Sequence, residues 1–149
     1  MKGFITIMAT GLGLGYLPFA PGTWGSLLGI LLAYGLSFLS LPIASLTLIA
    51  FIFFAIWCAT HAETYFKKKD ASQIVIDEVC GMAISLFCIP FTLQNIFIAF
   101  LLFRLFDIVK PFPARLFEQK LKGGYGIVLD DVMAGIYANV MLQGIRLFL

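Results

Sequence analysis

Charged side chains are scarce in this sequence of 149 residues: 12% are Asp, Glu, Lys or Arg, and 61% are hydrophobic. Soluble domains carry about 25% charged and about 45–50% apolar residues. A water-soluble globule of this length could not hide so many Phe, Leu and Ile side chains, and the same surplus excludes disorder. An integral membrane protein is the class that remains. Histidine occurs once, at His61. The three cysteines, Cys58, Cys80 and Cys88, lie in apolar stretches without CxxC spacing. That leaves neither a disulfide framework nor a zinc site, and buried thiols of this kind are inert. The net charge of +2 is too small to point to nucleic acid.

The charges present are unevenly placed. Residues 3–62 contain none, and 15 of the 18 fall in two belts, residues 64–78 and 104–131. A spanning helix needs about 20 apolar residues. Residues 24–41 and 43–60, divided by Pro42, predict a helical hairpin. Gly25, Gly29 and Ala33 suit close helix contact, and Trp24 and Trp57 suit an interfacial belt. Both charged belts are rich in Lys and Arg, which places them on one side, the cytoplasm. Residues 78–107 then form a short hairpin broken near Pro90, too short to span fully and so either re-entrant or set in a locally thinned bilayer. A last helix covers residues 132–149. The stretch 3–22 holds Gly11, Gly13, Gly15, Pro18, Pro21 and Gly22. It predicts a short helix followed by a loop at membrane depth, tolerated where protein buries it or it lines a wet cavity. The fold class expected is all-α: a small multi-pass membrane bundle with re-entrant or broken helices, one domain over residues 1–149.

With both belts on one side, Asp70, Asp77, Glu78, Asp107, Asp130 and Asp131 gather there. Asp77-Glu78 opens a helix from Val79, and Asp130-Asp131 precedes one from Val132. One acid at a helix start is ordinarily a cap. Two doublets plus Asp107, among eight acids in all, favour function, because acids near a membrane are costly. Clustered carboxylates need a cation between them. Oxygen ligands without spare histidine point to Mg2+ rather than zinc. Arg104, Asp107 and Lys110 stand at i, i+3 and i+6, as a metal ligand flanked by two phosphate-binding cations or as an exposed helix face with weak ion pairs. Gly123-Gly124-Tyr125-Gly126 supplies a flexible loop before Asp130. Pro21 to Ser26 can start a helix whose N–H groups and hydroxyls suit a phosphate; Thr23 or Ser26 could equally be a plain cap.

Several routes are excluded by missing residues. One histidine cannot serve phosphatases that need two. No cysteine is followed six residues later by arginine, no D-x-D-x-[TV] occurs, and no GxxxxGK is present. Gly11-Leu12-Gly13-Leu14-Gly15 does not have dinucleotide-binding spacing.

Four blocks in order, ATGLGLGYLPFAPGTWGS (9–26), DASQIVIDEVCGM (70–82), FRLFDIVKPFP (103–113) and GGYGIVLDDVMAGIYAN (123–139), resemble the phosphatidylglycerophosphatase A family. The resemblance implies a Mg2+-dependent lipid phosphatase in a bacterial inner membrane, acting from the cytoplasmic face. Its substrate would be phosphatidylglycerophosphate and its product phosphatidylglycerol. Asp77, Glu78, Asp107, Asp130 and Asp131 become the metal set, with Asp77, Asp107 and Asp131 as catalytic groups. Arg104 and Lys110 would neutralise the phosphoryl oxygens. Thr23, Ser26, Ser72 and Asn139 fall inside the family blocks as substrate-binding candidates, with Asp70 and Thr10 behind them. The Lys67–Lys69 run would meet anionic lipid headgroups. Self-association is left open. The rival reading is a small ion or metabolite transporter with an acidic cluster on its cytoplasmic face.

Overall fold

The computed structural model describes residues 1–148, and the regular elements among them are all helical. Seven α-helices follow in order: α1 (Lys2–Ala9), α2 (Pro21–Ser37), α3 (Leu41–Phe66), α4 (Ile76–Ser85), α5 (Leu93–Val109), α6 (Ala114–Lys120) and α7 (Gly124–Arg146). A single 3-10 turn, Leu14–Tyr16, lies between α1 and α2.

The α2–α3 hairpin forms, with its turn one step earlier than expected. Pro42 lies in the first turn of α3, where its fixed φ and missing N–H cost nothing. The link is therefore residues 38–40 rather than Pro42 itself. Helix α3 continues past residue 60 to Phe66, and Lys67 at φ 52° ends it. At 26 residues, α3 is about 39 Å long. Both α3 and α7 are long and apolar enough to cross a bilayer. The outward faces are correspondingly apolar: Leu31, Phe53, Phe97 and Val140 are each more than 60% exposed. In water such faces would associate.

The break near Pro90 is present. Helix α4 stops at Ser85 and α5 begins at Leu93. Ten residues make α4 only about 15 Å long, half the hydrocarbon thickness. Its last carbonyls end inside the bundle and need donors. Asn139 of α7 supplies them: its Nδ2 donates to the carbonyls of Ile84, Ser85 and Phe87 at 3.0, 3.2 and 2.8 Å. On the α5 side, Thr92 caps the helix by accepting from the Asn95 amide, and Asn95 Nδ2 donates to the Pro90 carbonyl. The short first helix and its loop also form as expected. The Val75 amide donates to the Ala9 carbonyl at 2.9 Å, which ties this segment to the entry of α4.

Helix α4 is the buried centre, and eight of its ten residues are inaccessible. Small residues let its neighbours close on it. Gly25 and Gly29 of α2 face the backbone of Val75 and Val79, so this stripe serves α4 more than the hairpin partner α3. On the other side, a Cβ at Gly135 of α7 would collide with the Gly81 carbonyl. Phe103 of α5 is fully buried and covers the same point.

Gly135→Val should therefore force α7 off α4, at a cost of about 1–3 kcal/mol for overpacking. Gly144→Ala, on the same helix with nothing within 4 Å, should be neutral or gain up to about 1 kcal/mol. Thermal unfolding in detergent checks the pair; equal midpoints would mean that α4 and α7 are not in backbone contact.

Candidate active site

The two charged belts meet at one end of the bundle. Helix α4 brings Asp77 and Glu78 in its first turn, and α5 brings Arg104 and Asp107 in its last turns. Lys110 follows at the cap of α5 with φ 47°. Asp130 and Asp131 come from α7, and here the boundary differs from expectation. The helix starts at Gly124 rather than Val132, so the doublet lies in its second turn and does not cap its N-terminus. Of the glycine-rich loop, only Gly123 remains outside the helix. Successive residues on a helix point about 100° apart. The two aspartates consequently face different partners.

Asp131 turns towards α4. One carboxylate oxygen from each of Asp77, Glu78 and Asp131 lies within 4.8 Å of the others. Asp77 Oδ1, Glu78 Oε2 and Asp131 Oδ2 are buried without a hydrogen-bond partner. Asp130 turns away from them: its Oδ2 accepts from Lys110 Nζ at 2.7 Å, and its Oδ1 accepts the Asp131 amide. Lys110 also pairs with Glu118 at 3.0 Å. Asp107 stands between the groups, 2.8 Å from Arg104 Nη1 and within hydrogen-bonding reach of Asp131. Arg104 Nη1 is close to Asp107 but poorly aligned, and its N–H finds no acceptor. A buried donor of that kind is free for an anion.

Apart from Arg104, which lies beside it, these side chains line a cavity of about 90 Å³. Gly22, in the first turn of α2, packs directly on Glu78 and Arg104: a Cβ there would collide with Glu78 Oε1 and come within 2.8 Å of Arg104 Nη1. Glu78 is thereby held against the positive end of the α2 dipole. Burial pushes the Asp77 carboxyl well above the usual carboxylate range, and the nearby Glu78 and Asp131 charges add to it. Burial raises Glu78 as well, partly opposed by its hydrogen bond with Asp77 and by Arg104. For Lys110, burial alone would lower the pKa. The Asp130 and Glu118 carboxylates outweigh it, so the ammonium is held charged above its ordinary range.

Apart from Asp70, the remaining candidates fall outside this cavity. Ser26 is fully buried and donates to the Gly22 carbonyl. It neither caps α2 nor faces the acids, and the N-cap of α2 is Ala20. Thr23 is half-buried and does not line the cavity. Ser72 is exposed in the turn before α4. Asn139 lies eight residues beyond Asp131, about 12 Å along α7, and its amide is committed to the end of α4. Thr10 is fully buried, with its hydroxyl bonded to the Thr6 carbonyl and the Gly13 amide. Ser26 and Asn139 thus satisfy backbone carbonyls, and Ser72 faces solvent. Asp70 does line the cavity. Sequence reading missed Glu118, the second partner of Lys110, and Lys69, which also reaches the cavity. Neither stands in a doublet or at a helical spacing from the other acids, so no local signal marks them. A larger cavity of about 320 Å³ lies at the opposite end of α4, but its lining, from Ala33 to Phe91, offers no acid or base for hydrolysis.

The description Phosphatidylglycerophosphatase A fits a family profile that matches residues 7–146. The chain is 43% identical to a Haemophilus influenzae protein named phosphatidylglycerophosphatase A, over 95% of this chain and 88% of that protein. It is 35% identical to an Escherichia coli protein of the same name, over 91% and 80%. It is 39% identical to a Bacteroides thetaiotaomicron protein named "putative phosphatidylinositol-3-phosphatase", over 94% and 92%. No solved structure matches. The chain belongs to the phosphatidylglycerophosphatase A family, and with it to the phosphoric monoester hydrolases.

Proposed function

We propose that the chain hydrolyses the terminal phosphomonoester of phosphatidylglycerophosphate to phosphatidylglycerol and inorganic phosphate, with Mg2+ held by Asp77, Glu78 and Asp131. The observation that carries this reading is the convergence of three carboxylates, one oxygen from each within 4.8 Å of the others, each residue also holding a buried oxygen without a hydrogen-bond partner. Buried charges of one sign are tolerable only with a counter-ion. Lys110 is already shared between Asp130 and Glu118, so the cluster needs a cation from outside. Hard oxygens without nitrogen or sulfur suit Mg2+. The chemistry such an ion supplies is polarisation of a phosphoryl oxygen and acidification of water.

The chain's own groups do the rest. The unaligned N–H of Arg104 donates to a phosphoryl oxygen, and Lys110 lends positive charge at the far wall, where charge spreads in the transition state. Asp107 reaches Asp131 and remains partly accessible; it accepts the proton of the attacking water. The new P–O bond forms as the bond to the glycerol oxygen breaks, and that oxygen takes up a proton as it leaves. Asp130 holds Lys110 in place and is a positioning residue, a change from its expected place among the ligands.

The chain is embedded in the bacterial inner membrane as a multi-pass protein, with the cavity opening to the cytoplasm. Lys67, Lys68, Lys69, Lys120 and Lys122 surround this end of the bundle, whereas Arg146 alone marks the other; the bias agrees with positive-inside orientation. Helix α4, half the needed length, forms the inner arm of a re-entrant hairpin. The carboxylates lie at one end of their helices and not along a path through the bundle, which does not suit the transporter alternative.

Asp131→Asn should lower phosphate release by about 10²–10⁴-fold in detergent-purified protein assayed on phosphatidylglycerophosphate with Mg2+. Release undiminished by the substitution would sink the assignment. Phosphatidylinositol 3-phosphate, assayed in parallel, tests the activity named for the Bacteroides relative; faster release from it would replace the glycerol lipid as substrate.

Mg2+ at about 100 times its dissociation constant should stabilise the native protein by about 2.7 kcal/mol. The same addition should leave the Asp77→Asn/Asp131→Asn variant unchanged. Thermal unfolding with Mg2+ or EDTA checks this, and identical shifts in both proteins would move the metal elsewhere.

A further inference from the structure

Beside the carboxylate pocket lies a second concavity of opposite charge. Two runs of lysine, far apart in sequence, meet there: Lys67, Lys68 and Lys69 after α3, and Lys120 and Lys122 between α6 and α7. All five are exposed, and among the described residues none is in an ion pair. The groove they line measures about 540 Å³. Its one carboxylate, Glu63, is occupied with the Asp70 amide at 3.0 Å.

The groove is built rather than incidental. The Gly124 amide donates to Thr60 Oγ1 at 2.9 Å, and a Cβ at Gly124 would collide with the Ile56 carbonyl. Close approach of α7 to α3 therefore draws the two lysine runs together. Lys69 Nζ donates to the Glu118 carbonyl at 3.3 Å and fixes the link from the other side. Lys69 and Gly123 line both this groove and the carboxylate pocket, so the two spaces adjoin. An acid-lined pocket repels a phosphate dianion at a distance, and an uncompensated lysine groove at its mouth reverses that field.

We propose that this groove captures the phosphomonoester headgroup of a phospholipid and delivers it to the adjoining carboxylates. The assignment rests on the lipid-phosphatase reading of the pocket. The lysines act on capture and not on the chemical step, so their loss falls on KM. Each lysine near an anionic surface contributes about fivefold in affinity, and the attraction is screened over about 8 Å at physiological salt.

The test uses the full chain in neutral-detergent micelles, with Lys67→Gln, Lys68→Gln, Lys120→Gln and Lys122→Gln combined. A second variant carries Arg at the same four positions and controls for folding. KM for the lipid substrate should rise at least tenfold in the Gln variant with kcat within twofold, and the salt dependence of kcat/KM should flatten; the Arg variant should match wild type. An unchanged KM and salt slope would overturn the proposal, as would an equal loss in both variants.

Direct binding of phosphatidic acid, a lipid phosphomonoester, to the Asp131→Asn protein keeps the two readings separable. If wild type hydrolyses no lipid, the phosphatase reading falls, while binding weakened at least tenfold by the Gln substitutions still supports the groove. Equal binding of phosphatidylglycerol would make the groove a general anionic surface, and displacement of the lipid by equimolar inorganic phosphate would make it a free-phosphate site. Either result overturns headgroup capture.

Discussion

Backbone contact between α4 and its neighbours is the constraint on which the rest depends. Glycine at 25 and 29 on α2, 81 on α4 and 135 on α7 removes the side chains that would otherwise hold these helices apart. Ordinary helix pairs pack at 8–10 Å between axes. Here α4 is sunk between α2 and α7, and its first-turn acids face Asp131 with little solvent between them. Packing thus sets the electrostatics. The closer the helices, the drier the carboxylates and the stronger the demand for a counter-ion.

That demand is met unevenly, and the unevenness separates the acids into roles. Lys110 satisfies Asp130 and Glu118, and Arg104 approaches Asp107. Asp77, Glu78 and Asp131 retain oxygens without any donor. Holding three carboxylates convergent in a dry site costs stability. The same asymmetry explains why adjacent residues Asp130 and Asp131 are not interchangeable: the helical turn between them points one at an ammonium and the other at the acids of α4.

Much of this was legible in the sequence, for reasons that differ by element. The charge-free run over residues 3–62 marks the apolar α2–α3 hairpin, whose outward faces carry no charge before Glu63. Pro90 marks the break between α4 and α5 because proline cannot continue a helix. The acid doublets mark the site, since their number exceeds what capping needs. Boundaries were less legible. Pro42 begins α3 instead of dividing the hairpin, as proline is neutral in a first turn. Gly124 and Gly126 read as loop, yet they enter α7 because close packing on α3 and on the α6–α7 link outweighs their poor helix propensity. Ser26 drew attention as a hydroxyl at a helix start, and Asn139 as a member of a family block. Their work is to satisfy carbonyls that only the tertiary fold exposes.

Helix α4 shows why shortness and function belong together. A full-length helix would satisfy its own carbonyls and carry its acids to a bilayer surface flanked by water. A helix of about 15 Å ends within the bundle, and its carbonyls must be met by Asn139 of α7. That bond and the Gly81–Gly135 contact tie α4 to α7 at two heights. With two fixed points, the rotation of α4 about its axis is set, and the direction of Asp77 towards Asp131 is set with it. Asn139, about 12 Å along α7 from Asp131, therefore braces the direction of the α4 acids from the far end of that helix. Its place within the same block as the Asp130-Asp131 doublet reflects mechanical coupling along one helix, which a reading of spacing alone cannot distinguish from a binding role.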